Sequence, residues 1–214
     1  QKEFITSASH ELKTPLTVIN ADAQLLESEI GENEWVSDIL KQTKYMTEMT
    51  HKLVYLARAE EQNDKLVKLD FPVSDLAEDI CESYRAVAAS CGKTFDTDIS
   101  PEISYHGDEK AIRELMTALL DNSFKYSPER GSIFAALSKE GRAIRFTVEN
   151  TVADIDAKHI ESFTDRFYRA SGSSDIKGFG IGLSVARAVA ENHNGKLTIE
   201  MSDKDRIKIS AVLK

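Results

Sequence analysis

The sequence predicts an α-helical hairpin forming a dimeric four-helix bundle, followed by an α+β sandwich whose mixed sheet is covered by helices on one face. Three observations predict it. Over residues 1–60 the apolar side chains recur at steps of mostly three and four, the spacing of one helix face. From about residue 66 onward short strand-like runs alternate with helix-like ones, the pattern of a sheet packed against helices. Between the two lies a polar, aperiodic stretch, Glu61-Gln62-Asn63-Asp64-Lys65, with linker composition. The domain reading is therefore residues 1–62 and 67–214.

The first helix, 1–30, carries Ile5, Leu12, Leu16, Ile19, Ala23, Leu26 and Ile30 as one stripe. Gly31-Glu32-Asn33 breaks the pattern and supplies turn chemistry. A second helix, about 34–60, carries Ile39, Met46, Met49, Leu53 and Leu56 in the same rhythm. A hairpin this small cannot cover both stripes, so pairing with a second copy through residues 1–60 is the expected solution. Packing on the remainder of the same chain is the alternative.

In the second part a strand at 66–70 leads to Pro72, which fits the start of a helix running to about 90. Strands follow near 94–99 and 102–106, and Asp108 can cap a helix over 109–125. Ser127 to Gly131 reads as a turn, and 132–138 with 143–149 as a hairpin through Lys139-Glu140-Gly141-Arg142. An irregular stretch, about 151–178, precedes a helix over 180–192 and two last strands, 196–201 and 206–213.

Composition narrows the function. The chain has 214 residues, 41% of them hydrophobic and 29% charged, with a net charge of −9. No basic stripe stands out to neutralise phosphates, so a nucleic-acid partner is not expected. Cys81 and Cys91 are too few and badly spaced for a zinc site and read as small apolar fillers. No apolar run reaches the roughly 20 residues of a membrane helix. The chain starts at Gln1, already inside a helical pattern, so it is expected to be a fragment, with any membrane contact made through segments outside it.

Three constellations carry chemistry. His10 lies roughly 160° from the middle of the apolar stripe at about 100° per residue, with Glu11 beside it and Thr14 one turn on. An exposed imidazole next to a carboxylate suits a nucleophile; a solvated surface histidine is the alternative. The pair does not begin a His-Glu-x-x-His zinc motif, because Thr14 occupies the second histidine's place. Next, Gly178, Gly180 and Gly182, followed by Leu183, open a helix. Glycines there let backbone N–H groups approach an anion, although a loose glycine-rich loop has the same composition. Last, Glu114, Asn122 and Lys125 can share one helix face, with Tyr126 following. An amide oxygen can ligate Mg²⁺, an ammonium can neutralise phosphate and a ring can cover a base; Lys125 also suits a helix C-terminus.

Taken in order, these stretches resemble the catalytic core of bacterial two-component sensor histidine kinases. Phe4 to Leu16 resembles the H box, Glu114 to Tyr126 the N box, Ile160 to Arg169 the F box and Gly178 to Leu183 the second glycine box. The resemblance covers nearly the whole chain. It implies a dimerisation and phosphotransfer hairpin joined to an ATP-binding domain with a mobile lid, in the cytoplasmic portion of a membrane-anchored sensor. It implies that His10 accepts phosphate, that Glu11 orients the ring and takes its proton, and that Thr14 positions water for dephosphorylating the partner. It implies that Asn122 holds Mg²⁺, Lys125 touches phosphate, Tyr126 packs by the adenine, and Gly178, Gly180, Gly182 and Leu183 border the ATP phosphates. The implied partner is the receiver domain of a response regulator, whose Asp takes the phosphoryl group.

The chain also departs from the family. Counting back from Phe167-Tyr168-Arg169, Asn150 falls on the adenine-reading Asp of the first glycine box, and Val152 and Asp154 on its glycines. A one-residue shift would put Glu149 there instead. Asn150 can accept the adenine amino proton as a neutral group; its amide could also turn to a guanine carbonyl, implying modest discrimination against GTP. Ala118 stands where the family commonly has a first Asn, and Ser173-Ser174 where an Arg is common. The alternative function is therefore a dimeric signalling scaffold that binds nucleotide weakly, or a regulator dominated by phosphatase action.

Overall fold

The computed structural model describes residues 2–59, 67–153, 157–165, 168 and 180–214, with side chains at all of these except 2–11, 54–59, 157–159 and 161. The chain divides into two compact units, Gln1–Glu61 and Gln62–Lys214.

The first unit is a helical hairpin, α1 (Lys2–Ile30) and α2 (Glu34–Ala59). Gly31 turns the chain at φ +76°, and its N–H donates to the Glu27 carbonyl at 3.0 Å, so the helix ends as a glycine cap ends it. Asn33 Oδ1 then accepts from the N–H groups of Trp35 and Val36 at 2.9 and 3.3 Å, which starts α2. Pro15 lies inside α1.

The apolar stripe expected on α1 separates into two seams of period seven. Leu16 and Ala23 are buried, as are Val36, Thr43 and Thr50 of α2. The two threonines return their hydroxyls to the carbonyls of Ile39 and Met46, at 2.7 and 2.8 Å, so burial leaves no orphan donor there. Leu12, Ile19 and Leu26 of α1 and Ile39 and Met46 of α2 remain exposed by 43–49%. The hairpin therefore covers one seam and leaves the other open.

The second unit contains β1 (Leu69–Pro72), α3 (Val73–Ser90), β2 (Thr94–Ile99), β3 (Ser104–Gly107), α4 (Glu109–Tyr126), β4 (Ser132–Glu140), β5 (Ala143–Thr151), a 3-10 helix (Ala157–Thr164), α5 (Gly182–Asn192), β6 (Lys196–Asp203) and β7 (Arg206–Leu213). Five strands form a mixed sheet in the order β2-β4-β5-β7-β6. Only β2 and β4 are parallel; the other neighbours are antiparallel. β1 and β3 form a separate antiparallel pair, a division that strand patterns do not reveal.

Alternation along β5 sends Ile144, Phe146, Val148 and Asn150 into the interior. There they meet α4 and α5, which pack on the same strand system. The opposite face carries ion pairs: Arg145 with Glu140 at 2.7 Å, Arg206 with Glu149 at 2.5 Å and Lys208 with Glu200 at 3.2 Å. Helices on one face and paired charges on the other are what a half-buried antiparallel sheet requires.

Boundaries differ from expectation in several places; β3 is Ser104–Gly107 where 102–106 was expected, and β6 runs on to Asp203. The β4–β5 turn is narrower than Lys139–Arg142, because the strands run through Glu140 and resume at Ala143, leaving Gly141 at φ +62° to make the reversal. The expected irregular stretch contains the 3-10 helix. The helix expected from 180 begins at Gly182. The strand expected at 66–70 is Leu69–Pro72, its pairing with β3 carrying it two residues further.

The helix layer is pinned by one buried imidazole. The Asp108 N–H donates to His193 Nε2 at 3.1 Å, and His193 Nδ1 lies 2.8 Å from the Val189 carbonyl, to which it donates. Asp108 itself caps α4 by accepting from the Ala111 N–H at 3.0 Å. His193 thus joins the start of α4 to the end of α5 and must be neutral to do so. Burial pushes its pKa below the usual imidazole value; Lys68 pushes the same way, while the Val189 carbonyl and Asp108 oppose. A depressed pKa means the imidazole's stabilisation is complete above the unfolded value, roughly 6.5, and is lost as pH falls through the folded one. Thermal unfolding should therefore show stability being lost as pH falls below about 6.5, a loss that is reduced in His193→Gln, whose amide oxygen can still accept from Asp108. An equal loss in both proteins would assign that pH dependence elsewhere.

Candidate functional site

The sequence-predicted residues fall on two structural units. In the first, His10 and Glu11 lie in α1 with side chains outside the described residues, and Thr14 is exposed one turn later.

In the second unit, α4 carries Glu114, Asn122 and Lys125 on one half-buried face, followed by half-buried Tyr126. The Lys125 ammonium donates to the Tyr126 hydroxyl at 3.1 Å and sits 4.6 Å from the ring centre, so the two side chains form one unit. Ala118, in place of the family's first Asn, is buried and offers no ligand.

Three contacts that sequence reasoning missed hold this end of α4. Lys93, just past α3, donates to the carbonyls of Phe124 and Ser127, at 2.5 and 2.8 Å, covering the negative end of the helix. The Tyr84 hydroxyl of α3 donates to Asp121 Oδ1 at 2.5 Å, with its ring 5.1 Å from that of Phe124. Burial, reinforced by that carboxylate, drives the Tyr84 phenol far above the usual tyrosine range, so it stays a donor. Ser127 Oγ lies 3.4 Å from Thr151 Oγ1, tying the helix end to the end of β5. A lysine or tyrosine gives no pattern signal of such a role, because the partner is distant in sequence.

Strand alternation separates the two candidates for the base-reading position. Glu149 points to the outer face and is paired with Arg206. Asn150 points into the helix-covered interior and is 1% exposed. Its Nδ2 donates to the Thr151 carbonyl at 2.8 Å, and its Oδ1 has no partner among the described residues. Val152, on a family glycine position, is also buried; Asp154 and Gly178 lie outside the described residues.

At the start of α5, Gly180 has φ +65°, a conformation that favours glycine. A Cβ on Gly182 would meet nothing within 4 Å. Among the described residues no side chain caps the N–H groups of this first helical turn, an arrangement suited to an anion. Leu183 is buried behind them. Asn122 and the α5 amino end are the groups able to hold a metal–anion pair; among the described residues no group of three His, Cys, Asp or Glu side chains converges on a metal position.

Two family models match in sequence. Residues 1–62 match the His Kinase A (phospho-acceptor) domain. Residues 107–214 match the histidine kinase-, DNA gyrase B-, and HSP90-like ATPase family. The chain belongs to the sensor histidine kinases. Among its curated relatives, the sensor protein DltS of Streptococcus agalactiae serotype V is 29% identical over all of this chain and 54% of its own length. The sensor histidine kinase YkoH of Bacillus subtilis is 32% identical over 94% of this chain and 44% of its own. This sensor kinase chain thus spans about half the length of the curated relatives it matches. Its fold is similar to part of ShkA, in a crystal structure of the full-length protein with AMPPNP, at TM-score 0.84 and 18% identity over 100% of this chain and 46% of that one. The Acinetobacter baumannii histidine kinase AdeS gives TM-score 0.71 and 17% identity over 96% and 97%. Among the described residues no helix of the kinase core is long and apolar enough to cross a membrane.

Proposed function

We propose that this chain is the catalytic core of a two-component sensor kinase that binds Mg-ATP, phosphorylates its own His10, and passes the phosphoryl group to an Asp of a response-regulator receiver domain. The observation that carries the reading is the order of the two matched domains, with His10 inside the phospho-acceptor domain and the ATPase match covering Asn122, Asn150 and the uncapped start of α5. The ShkA structure in complex with AMPPNP supports an ATP-type ligand for this fold.

The roles follow from the side chains. Asn122 would hold Mg²⁺ together with phosphate oxygens, the ion supplying charge neutralisation when bound. Lys125 and the N–H groups opening α5, with Gly178, Gly180, Gly182 and Leu183 alongside, border the phosphates. Tyr126 lies by the adenine and Asn150 accepts its amino proton. The His10 ring nitrogen forms the new P–N bond as the bond to the ADP oxygen breaks, and Glu11 takes the ring proton. In the second reaction the P–N bond breaks and an acyl phosphate forms on the receiver Asp. Thr14, exposed on α1, would position water for the reverse regulation, dephosphorylation of the partner.

The open seam of α1 and α2 supports a homodimer through residues 1–60, with Leu12, Ile19, Leu26, Ile39 and Met46 meeting their copies in a four-helix core. Membrane attachment would lie in segments outside this chain.

One observation favours a second reading. Asn150 and Val152 replace an Asp and a glycine of the first glycine box, and a neutral acceptor weakens a charge-assisted hydrogen bond by about 1 kcal/mol. A weakly nucleotide-binding scaffold or phosphatase-dominant regulator would follow if that loss dominates. Incubation with γ-labelled ATP and Mg²⁺ separates the two. The kinase reading expects incorporated label that is stable to base and released by acid; no incorporation alongside dephosphorylation of a phosphorylated receiver favours the second.

A further inference from the structure

Two buried polar atoms in the sandwich have no hydrogen-bond partner among the described residues, Asn150 Oδ1 and Ser123 Oγ. Their residues are 1% and 0% exposed. Leaving a buried polar group unsatisfied costs about 1–3 kcal/mol, so two such atoms call for partners that the described residues do not supply. They belong to the same region. α4 packs over β5, and Ser127, the residue that caps the end of α4, reaches Thr151 of β5 at 3.4 Å. Ser123 is buried in α4, which packs on β5, and Asn150 is buried on the face of β5 that the helices cover. Both side chains face the layer between helices and sheet.

We propose that Ser123 and Asn150 together read the hydrogen-bonding edge of the purine, and that Ser123 is the residue setting a preference for adenine. The inference rests on the nucleotide-binding reading above. Its chemistry is fixed by the Asn150 amide. The NH₂ group is committed to the Thr151 carbonyl at 2.8 Å; turning the amide over would set its oxygen against that carbonyl. Asn150 therefore offers the base an acceptor only, and the freedom to meet a guanine carbonyl, expected from sequence, is removed. Adenine presents an amino donor at C6 and an acceptor at N1. The first matches Asn150 Oδ1. The second matches the Ser123 hydroxyl, which carries a proton that no described group accepts, and which can act directly or through one water. Guanine presents a carbonyl at C6, leaving two acceptors face to face. Ser123 thus adds a donor where Asn150 lacks a carboxylate's charge.

The test is calorimetry of the full chain and of Ser123→Ala with Mg²⁺ and four triphosphates: adenosine, 1-deazaadenosine (no N1 acceptor), purine riboside (no amino group) and guanosine. The parent is expected to bind ATP about three- to tenfold more tightly than the 1-deaza analogue, the worth of one buried hydrogen bond. It should also prefer ATP to purine riboside triphosphate and to GTP. Ser123→Ala should bind ATP and the 1-deaza analogue equally, keep its preference over purine riboside triphosphate, and melt no lower than the parent, having lost only an orphaned hydroxyl. An unchanged ATP to 1-deaza ratio in Ser123→Ala overturns the role of Ser123 while leaving ATP binding in place. A uniform loss over all four ligands with a lower melting temperature makes Ser123 a packing residue and also overturns it. Equal binding of ATP and GTP by the parent overturns the fixed amide. A parent that binds none of the four overturns the nucleotide reading as well.

Discussion

His10→Gln is expected to leave the protein with no acid-labile, base-stable label after incubation with γ-labelled ATP and Mg²⁺. The reaction needs a nucleophilic ring nitrogen, and glutamine keeps the size and polarity of the side chain without one. His10 sits in a continuous helix, α1, at a position the apolar stripe does not use, so the substitution should not cost folding. ATP affinity should be unchanged, because the residues proposed to bind nucleotide lie in the other unit. The control is informative because the chain has four further histidines, His51, His106, His159 and His193. His193 is already committed at both ring nitrogens and His106 pairs with Asp70 at 2.9 Å. Label surviving in His10→Gln, or mapped to any of these four, would remove His10 from the phosphotransfer role.

The second large effect is on assembly. Leu26→Glu should shift the chain from dimer to monomer at micromolar concentration, read by sedimentation. In the isolated hairpin Leu26 is 43% exposed, so a carboxylate there is tolerated by the monomer. In a four-helix core the same side chain would be buried without a partner, and twofold symmetry places two of them in one layer. Roughly 3 kcal/mol for each buried, unpaired charge amounts to about four orders of magnitude in the dimer Kd. Helicity should be retained, because the seam that closes the hairpin, Leu16 and Ala23 against Val36, Thr43 and Thr50, is untouched. A dimer of undiminished stability in Leu26→Glu would show that the open seam is not the interface.

The open seam also shows how sequence and structure divide the work. Steps of three and four on α1 are readable because a helix turns every 3.6 residues whatever surrounds it. One stripe was legible, but not its division into a covered row, Leu16 and Ala23, and an open one, Leu12, Ile19 and Leu26. That division depends on where α2 crosses, a relation between residues distant in sequence. The same holds in the sandwich. Asp108 announces its helix locally, and it caps α4 as expected, because a cap involves only the next three residues.

What the sequence determined by itself is the order of helices and strands, the place of His10, Glu11 and Thr14 on the first helix, and the spacing that puts Asn122, Lys125 and Tyr126 at the end of another. These are short-range matters of period and capping. Tertiary structure decided which of Glu149 and Asn150 faces the interior. A strand alternates its side chains whichever face is inward, and only the packing of α4 and α5 made the Asn150 side the interior and left Glu149 to Arg206. It also decided that the Asn150 side chain is buried and that Ser123, an unremarked residue inside a helix, is buried as well. Hydrogen bonds and burial between distant segments exist only once the chain has folded, so no local pattern encodes them.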